Sequence, residues 1–196
     1  ALCIRLRLSA YEIDREEAER EIGRQFEQLE RIIPYGIVGY GDASLESITG
    51  DLLRARGATV ATAESCTGGN IARRFTALPG ASDYFRGGVV AYSNDVKRSL
   101  LGVNGGDLER FGAVSRPVAE QMAEGVRRVI GTDLGVSATG LAGPDGDGSG
   151  KPVGLVYLGA SDGTRTLVRE FVFCGSREDV RNQAIDAALD LAMELL

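Results

Sequence analysis

The chain has 196 residues, 43% of them hydrophobic, and a net charge of −6. That length holds one domain of about 100–200 residues plus a small appendage, and the acidic balance argues against nonspecific nucleic-acid binding, which needs a basic face to neutralise phosphates. With no histidine and three cysteines at unrelated spacings, Ser-His-Asp and Cys-His chemistry and His-ligated zinc are excluded, and a reducing, cytoplasmic compartment is expected rather than a disulfide framework. No apolar run approaches the roughly 18–20 residues of a membrane span and no signal peptide is visible, so no membrane association is expected.

In chain order, Leu2, Ile4, Leu6 and Leu8 alternate with Cys3, Arg5 and Arg7 as in a half-buried strand. A helix is predicted from Asp14, where Asp14 and Glu17 make a capping-box pattern, with Ala18, Ile22, Phe26, Leu29 and Ile33 on one face up to Pro34. Its acidic residues from Glu16 to Glu30 alternate with Arg, which reads as a solvated face. A second helix is predicted from about Ser44 to Gly57.

Residues 58–72 then read as a strand running straight into a helix. Thr59, Val60 and Thr62 favour the extended chain, Ser65 is the expected N-cap, and Gly68 and Gly69 let the backbone crowd a ligand. Ser65 is thus expected at a helix N-terminus, where free N–H groups and the helix dipole stabilise either a bound phosphate or the oxyanion of an acyl transfer. A nucleophilic serine needs a base, and without histidine only Lys, Tyr, Asp or Glu can serve. Cys66 beside it reads as a small packed residue, a nucleophilic thiol being the other reading.

Lysine is scarce: only Lys97 and Lys151 stand against 20 arginines. Arginine cannot give up its proton near neutral pH and a desolvated lysine can, which makes Lys97 the first candidate base; a codon bias would also leave two lysines behind. The segment before it is an apolar strand near 88–93 ending in Tyr92 and Ser93, followed by a helix that Asn94 is expected to cap. Lys97 falls in the first turn, where the dipole opposes its charge and lowers its pKa.

A helix opened by Ser115 and Pro117 follows, with Val118, Met122, Val126 and Val129 expected inward, then strands near 134–139, 153–160 and 165–174, the last two close enough for a hairpin. Between the first two lies a run with five glycines from 140 to 150, a loop that either folds its amides around an anion or is simply flexible. The final helix is predicted from near Ser176, with Val180, Ala184, Ile185, Ala188, Leu191 and Leu195 as its apolar stripe. Arg177 and Arg181, one turn apart, either share a phosphate or balance Glu178 and Asp179 at the surface. Together these elements define an α/β chain: a three-layer α/β/α sandwich around a mixed sheet, with a small N-terminal strand-helix appendage.

The blocks Ala63-Glu64-Ser65-Cys66-Thr67-Gly68-Gly69, Val89-Val90-Ala91-Tyr92-Ser93-Asn94, Gly112-Ala113-Val114-Ser115, Ala138-Thr139-Gly140-Leu141-Ala142-Gly143-Pro144 and Lys151-Pro152-Val153-Gly154 together resemble the C-terminal domain of CinA. This is the competence/damage-inducible family, also found as stand-alone nicotinamide-nucleotide amidases. The resemblance covers residues 42–196 and implies hydrolysis of the carboxamide of nicotinamide mononucleotide to nicotinic acid mononucleotide and ammonia, with no metal and no cofactor. Carried over position by position, it implies Ser65 as nucleophile and Tyr92 and Lys97 as proton-handling partners. The implied oxyanion donors are the amides near Thr67, Gly68 and Gly69, and the implied substrate contacts are Glu64, Thr67, Gly68, Gly69, Thr139, Gly140, Gly143 and Arg177. Lys151 is expected to supply positive charge near the substrate, and Asp145 and Asp147 depart from the family pattern by putting acid in the glycine-rich loop. Residues 1–41 resemble the end of the small domain that precedes the amidase domain in full-length CinA proteins, so a fragment lacking an upstream nucleotide pyrophosphatase domain is expected. The rival reading is a non-catalytic module that grips a nucleotide or phosphate for regulation or assembly. A small-molecule nucleotide is the expected partner, and a homodimer stays open.

Overall fold

The Asp14 carboxylate accepts the Glu17 amide at 3.0 Å and opens α1 (Arg15–Ile32) in the computed structural model, which describes residues 6–11, 14–33, 37, 41 and 43–196. The chain divides into two compact units, residues 2–44 and residues 45–196. In the first, the stripe Ala18, Ile22, Phe26 and Leu29 is half-buried while Ile33 is exposed. The opening strand is not formed where it can be seen: residues 1–5 lie outside the described residues, and residues 6–11 carry no strand, with Leu6 and Leu8 exposed. A strand is held by ladder hydrogen bonds to a neighbour, and the five strands that pair here all lie between residues 60 and 172. Pro34 also lies outside the described residues.

The second unit is built on β1 (Val60–Glu64), β2 (Phe85–Val90), β3 (Leu134–Gly140), β4 (Leu155–Ser161) and β5 (Thr166–Val172), in the order β2-β1-β3-β4-β5. β1 runs parallel to both neighbours, with Glu64 opposite Val90 on one side and Ala138 on the other, whereas β3–β4 and β4–β5 are antiparallel. The sheet is therefore mixed, and its last two strands form the expected hairpin.

Both faces are covered. On one, α2 (Leu45–Arg56), the short α3 (Asn70–Phe75) and α7 (Arg177–Leu195) bury Leu53, Ile71, Phe75, Val180, Ala184 and Leu191 against Val60, Val136 and Leu158. On the other, α4 (Asn94–Leu101), α5 (Gly105–Phe111) and α6 (Arg116–Ile130) bury Leu101, Leu108, Val118, Met122 and Val126 against Ala61 and Ala63. Alternate residues of β1 thus feed opposite layers, as the two-residue period of a strand requires. This is the three-layer sandwich expected from the sequence. Val129 departs from it: it is 51% exposed, and the stripe of α6 runs through Ile130 instead, because 118, 122, 126 and 130 keep the four-residue step that stays on one helix face.

Connections decide where a site can form. The chain leaves β1 into α3 on one face and leaves β2 into α4 on the other, so the carboxyl ends of two adjacent parallel strands open to opposite sides. Ligands of open α/β sheets bind in the crevice at such a switch point.

Candidate active site

Ser65 follows the last residue of β1 and is held by the sheet itself: its amide donates to the Ala138 carbonyl at 2.9 Å, and the Glu64 carbonyl accepts the Ala91 amide at 2.8 Å. It does not cap a helix. The chain makes a turn through 66–69, the N-cap of α3 is Gly69 in the left-handed region at φ 94°, and the first turn is capped from β1. There the Glu64 carboxylate, 1% exposed, accepts the Gly69 and Ile71 amides at 2.9 and 3.0 Å on one oxygen and the Ala72 amide at 2.8 Å on the other. A carboxylate satisfied in this way is favoured beside the positive end of a helix. Glu64 thus organises the loop that carries Ser65.

Lys97 reaches the same point from β2. The N-cap of α4 is Ser93, whose hydroxyl accepts the Val96 amide at 3.3 Å, and not Asn94, which is the first helical residue. Lys97 is 1% exposed and directs its Nζ to the Ala91 carbonyl at 2.7 Å, the Tyr92 carbonyl at 3.5 Å and the Ser65 hydroxyl at 3.2 Å. Burial pulls its pKa below the ordinary lysine value of 10.5, so desolvation, more than the helix dipole, is the cause. Two of its three partners are carbonyls, which only accept, and the third is a hydroxyl that can also donate. A neutral amine with two N–H bonds and one lone pair fits that set.

This burial has a stability consequence. Between the lowered pKa of folded Lys97 and the ordinary value of the unfolded chain, the unfolded state binds the extra proton, so stability rises with pH across that window. Lys97→Met should therefore unfold at higher urea than wild type at pH 7, with the gap narrowing by pH 10. Urea midpoints at the two pH values test it, and an unchanged gap would show that lysine protonation is not what burial disfavours.

Of the other residues expected here, some come together and some do not. The Tyr92 phenol is at the rim, 64% exposed, and accepts from Arg177 Nη2 at 3.3 Å, with no hydrogen bond to Ser65 or Lys97 among the described residues. Arg177 also donates from Nη1 to the Gly143 carbonyl at 2.6 Å, so it links that loop to Tyr92. Thr67 is buried; its carbonyl accepts Arg181 Nη2 at 2.9 Å, and its hydroxyl has no partner among the described residues. Gly68 is exposed in the turn, its amide donating to the Ser65 carbonyl at 3.2 Å.

Thr139 and Gly140 both take part in packing. The buried Thr139 hydroxyl donates to the Ala113 carbonyl at 2.8 Å, and a Cβ on Gly140 would lie 2.7 Å from Val156 Cγ2. Lys151 is a clamp, its Nζ donating to the Phe111 and Val114 carbonyls at 2.6 Å each. Its charge is thereby committed to the 111–114 segment. Asp147 turns back on its own loop, accepting the Ser149 amide at 3.0 Å. Cys66 is 7% exposed, and burial pushes its thiol up to about 12, which keeps it protonated and unreactive at neutral pH.

Arg177 and Arg181, whose spacing raised a shared phosphate, line a groove of about 510 Å³ between α3 and α7 together with Arg73, Arg74 and the acidic Glu178. Arg74 is ion-paired with Glu46 and with Asp186 at 2.7 Å. Arg177 and Arg181 donate only to neutral oxygens in the described contacts, Gly143, Tyr92 and Thr67. The signal available was the Arg177/Arg181 spacing; Arg73 and Arg74 gave none, because their relation to α7 is tertiary.

A mixed-sheet α/β sandwich with a buried lysine against an accessible serine at the switch point defines a Ser-Lys type of α/β protein. The family model for the CinA C-terminal domain matches residues 42–196, and the chain belongs to that family. It is 46% identical over 188 residues to a CinA-like protein of Acaryochloris marina, covering 95% of this chain and 45% of that protein. It is 52% identical over 147 residues to a CinA-like protein of Sulfurihydrogenibium sp., covering 75% and 37%. The chain thus spans about half the length of the curated relatives it matches. Among solved structures it resembles the competence-damaged protein (CinA) superfamily protein of Escherichia coli, with TM-score 0.75, 32% identity, and coverage of 82% of this chain and 95% of that one. It also resembles the competence/damage inducible protein CihA of Agrobacterium tumefaciens, with TM-score 0.74, 36% identity, and coverage of 80% and 98%.

Among the described residues, no helix is long and apolar enough to cross a membrane.

Proposed function

We propose that residues 42–196 form an amidohydrolase that deamidates nicotinamide mononucleotide to nicotinic acid mononucleotide and ammonia. The observation that carries this reading is the 3.2 Å approach of a buried lysine Nζ to the Ser65 hydroxyl. In it, Lys97 takes the Ser65 proton as Oγ attacks the carboxamide carbon, and the resulting ammonium returns a proton to the departing nitrogen. Water then hydrolyses the acyl-enzyme with Lys97 again as base. Tyr92, at the mouth of the site with Arg177, is the second proton carrier for leaving ammonia. The phosphate of the nucleotide occupies the groove of Arg177 and Arg181, whose guanidinium groups suit an oxyanion.

A basic groove fits a non-catalytic nucleotide-binding module equally well. The Ser65–Lys97 contact is what favours chemistry, since binding a phosphate requires no buried lysine at a serine hydroxyl.

Incubating the protein with nicotinamide mononucleotide should release ammonia and nicotinic acid mononucleotide in equal amounts. EDTA should leave the rate unchanged, because the chain has no histidine and no group of three metal-ligating side chains converges among the described residues. Loss of ammonia release in EDTA with recovery on adding a divalent ion would overturn the metal-free mechanism, and no ammonia from the untreated protein would overturn the activity.

A further inference from the structure

The loop after the nucleophile is set by a charge that never leaves the core. β1 is buried at every position, and its last residue is a carboxylate. Glu64 takes the amides of Gly69, Ile71 and Ala72 at 2.9, 3.0 and 2.8 Å, and the Gly68 amide is turned onto the Ser65 carbonyl. Of the amides from 66 to 69, this leaves that of Thr67 without an acceptor among the described residues and that of Cys66 facing only its own thiol sulfur. Backbone amides without a strong acceptor are costly unless something accepts from them, and these two lie directly after the half-buried Ser65.

Resting on Ser65 as the nucleophile, we infer that the oxyanion is held by the Cys66 and Thr67 amides, not by Gly68 and Gly69, and that Glu64 is the positioning residue that enforces this. By occupying the helix-side amides, its carboxylate fixes the turn so that the two amides directly after the nucleophile stay free. An amide immediately following the nucleophile is a recurrent oxyanion donor, because it is fixed to the attacking residue by one peptide unit. The Glu64 carbonyl extends the same scaffold to the base: it accepts the Ala91 amide, and the Ala91 carbonyl accepts Lys97 Nζ. Side chain and main chain of one residue thus orient the oxyanion loop and the lysine together.

A phosphonofluoridate tests this without a nucleotide. Ser65 Oγ forms a bond to phosphorus as the P–F bond breaks, fluoride departs and Lys97 takes the proton. Amide hydrogen exchange by NMR on the wild-type protein should show Gly69, Ile71 and Ala72 protected throughout. Cys66 and Thr67 should exchange quickly in the free protein and slowly in the Ser65 adduct. In Glu64→Gln, where an NH₂ group faces amide donors, labelling of Ser65 should slow by about a hundredfold, the usual scale for disturbing an oxyanion donor. Its kcat should fall by a similar factor, and nucleotide affinity measured by calorimetry should stay within about threefold. A purely structural defect would lower affinity and labelling together. Should the variant fail to fold, the exchange measurement on wild type decides alone. Unchanged exchange at Cys66 and Thr67 between the free protein and the adduct, or labelling of a folded Glu64→Gln at the wild-type rate, overturns this inference and leaves the amidase reading intact. A wild-type Ser65 that does not label overturns both.

Discussion

Ser65→Ala is expected to abolish ammonia release while nicotinamide mononucleotide still binds within about tenfold of wild type. The substitution removes the oxygen that must attack the carboxamide carbon, so loss falls on the chemical step, and no other hydroxyl hydrogen-bonds Lys97 among the described residues. Binding survives because the alanine keeps the backbone: the residue-65 amide still donates to Ala138, Glu64 still holds Gly69, Ile71 and Ala72, and Arg177 and Arg181 are untouched. A binding module predicts the opposite, with weakened affinity as the only effect. Calorimetric titration of both proteins beside the ammonia assay separates the two, and substantial turnover by the alanine variant would remove Ser65 from the mechanism.

Lys97→Arg is expected to lower kcat by about 10² to 10⁴, the range for losing general acid–base catalysis, with a smaller change in KM. Arginine keeps the charge but not the transferable proton. It is also bulkier, and position 97 is 1% exposed with a carbonyl 2.7 Å from Nζ, so a thermal melt should accompany the kinetics to show that the variant is folded. The pH profile makes the result specific. Burial lowers the Lys97 pKa, so wild-type kcat/KM should rise with pH as the lysine becomes neutral and then level off below the ordinary lysine range. That rising limb should vanish in Lys97→Arg. A folded arginine variant with near wild-type kcat would mean that position 97 supplies charge and not a proton.

Ser65 and Lys97 were legible in the sequence for separate reasons. Ser65 follows a run of strand formers and precedes two glycines, and Lys97 stands out because arginine fills nearly every other cationic position. Details of capping were less legible. Ser65 and Asn94 both carry good N-cap side chains, yet Gly69 and Ser93 hold those positions. In the first case a carboxylate from the preceding strand does the capping, and in the second an equally suitable residue lies one position earlier. The short helix α5, capped by Asn104, went unanticipated, since seven residues are too few to show a helical period.

What the sequence by itself determined was the order of strands and helices, their apolar faces, and hence the three-layer α/β class. These follow from contiguous residues, whose backbone preferences and hydrophobic spacing act locally. Tertiary structure alone decided which polar groups pair with one another to hold the scaffold. Thr139 and Lys151 flank the glycine-rich loop in the sequence, but their partners lie 26 to 40 residues away, in the 111–114 segment. Arg177 meets Tyr92 across 85 residues and Arg181 meets Thr67 across 114. Even Glu64, whose partners are five to eight residues along, gains its role only because the chain turns back over the end of β1. A buried polar group takes whatever partner the packed fold brings within hydrogen-bond reach, and that distance is a property of the folded chain rather than of spacing along it.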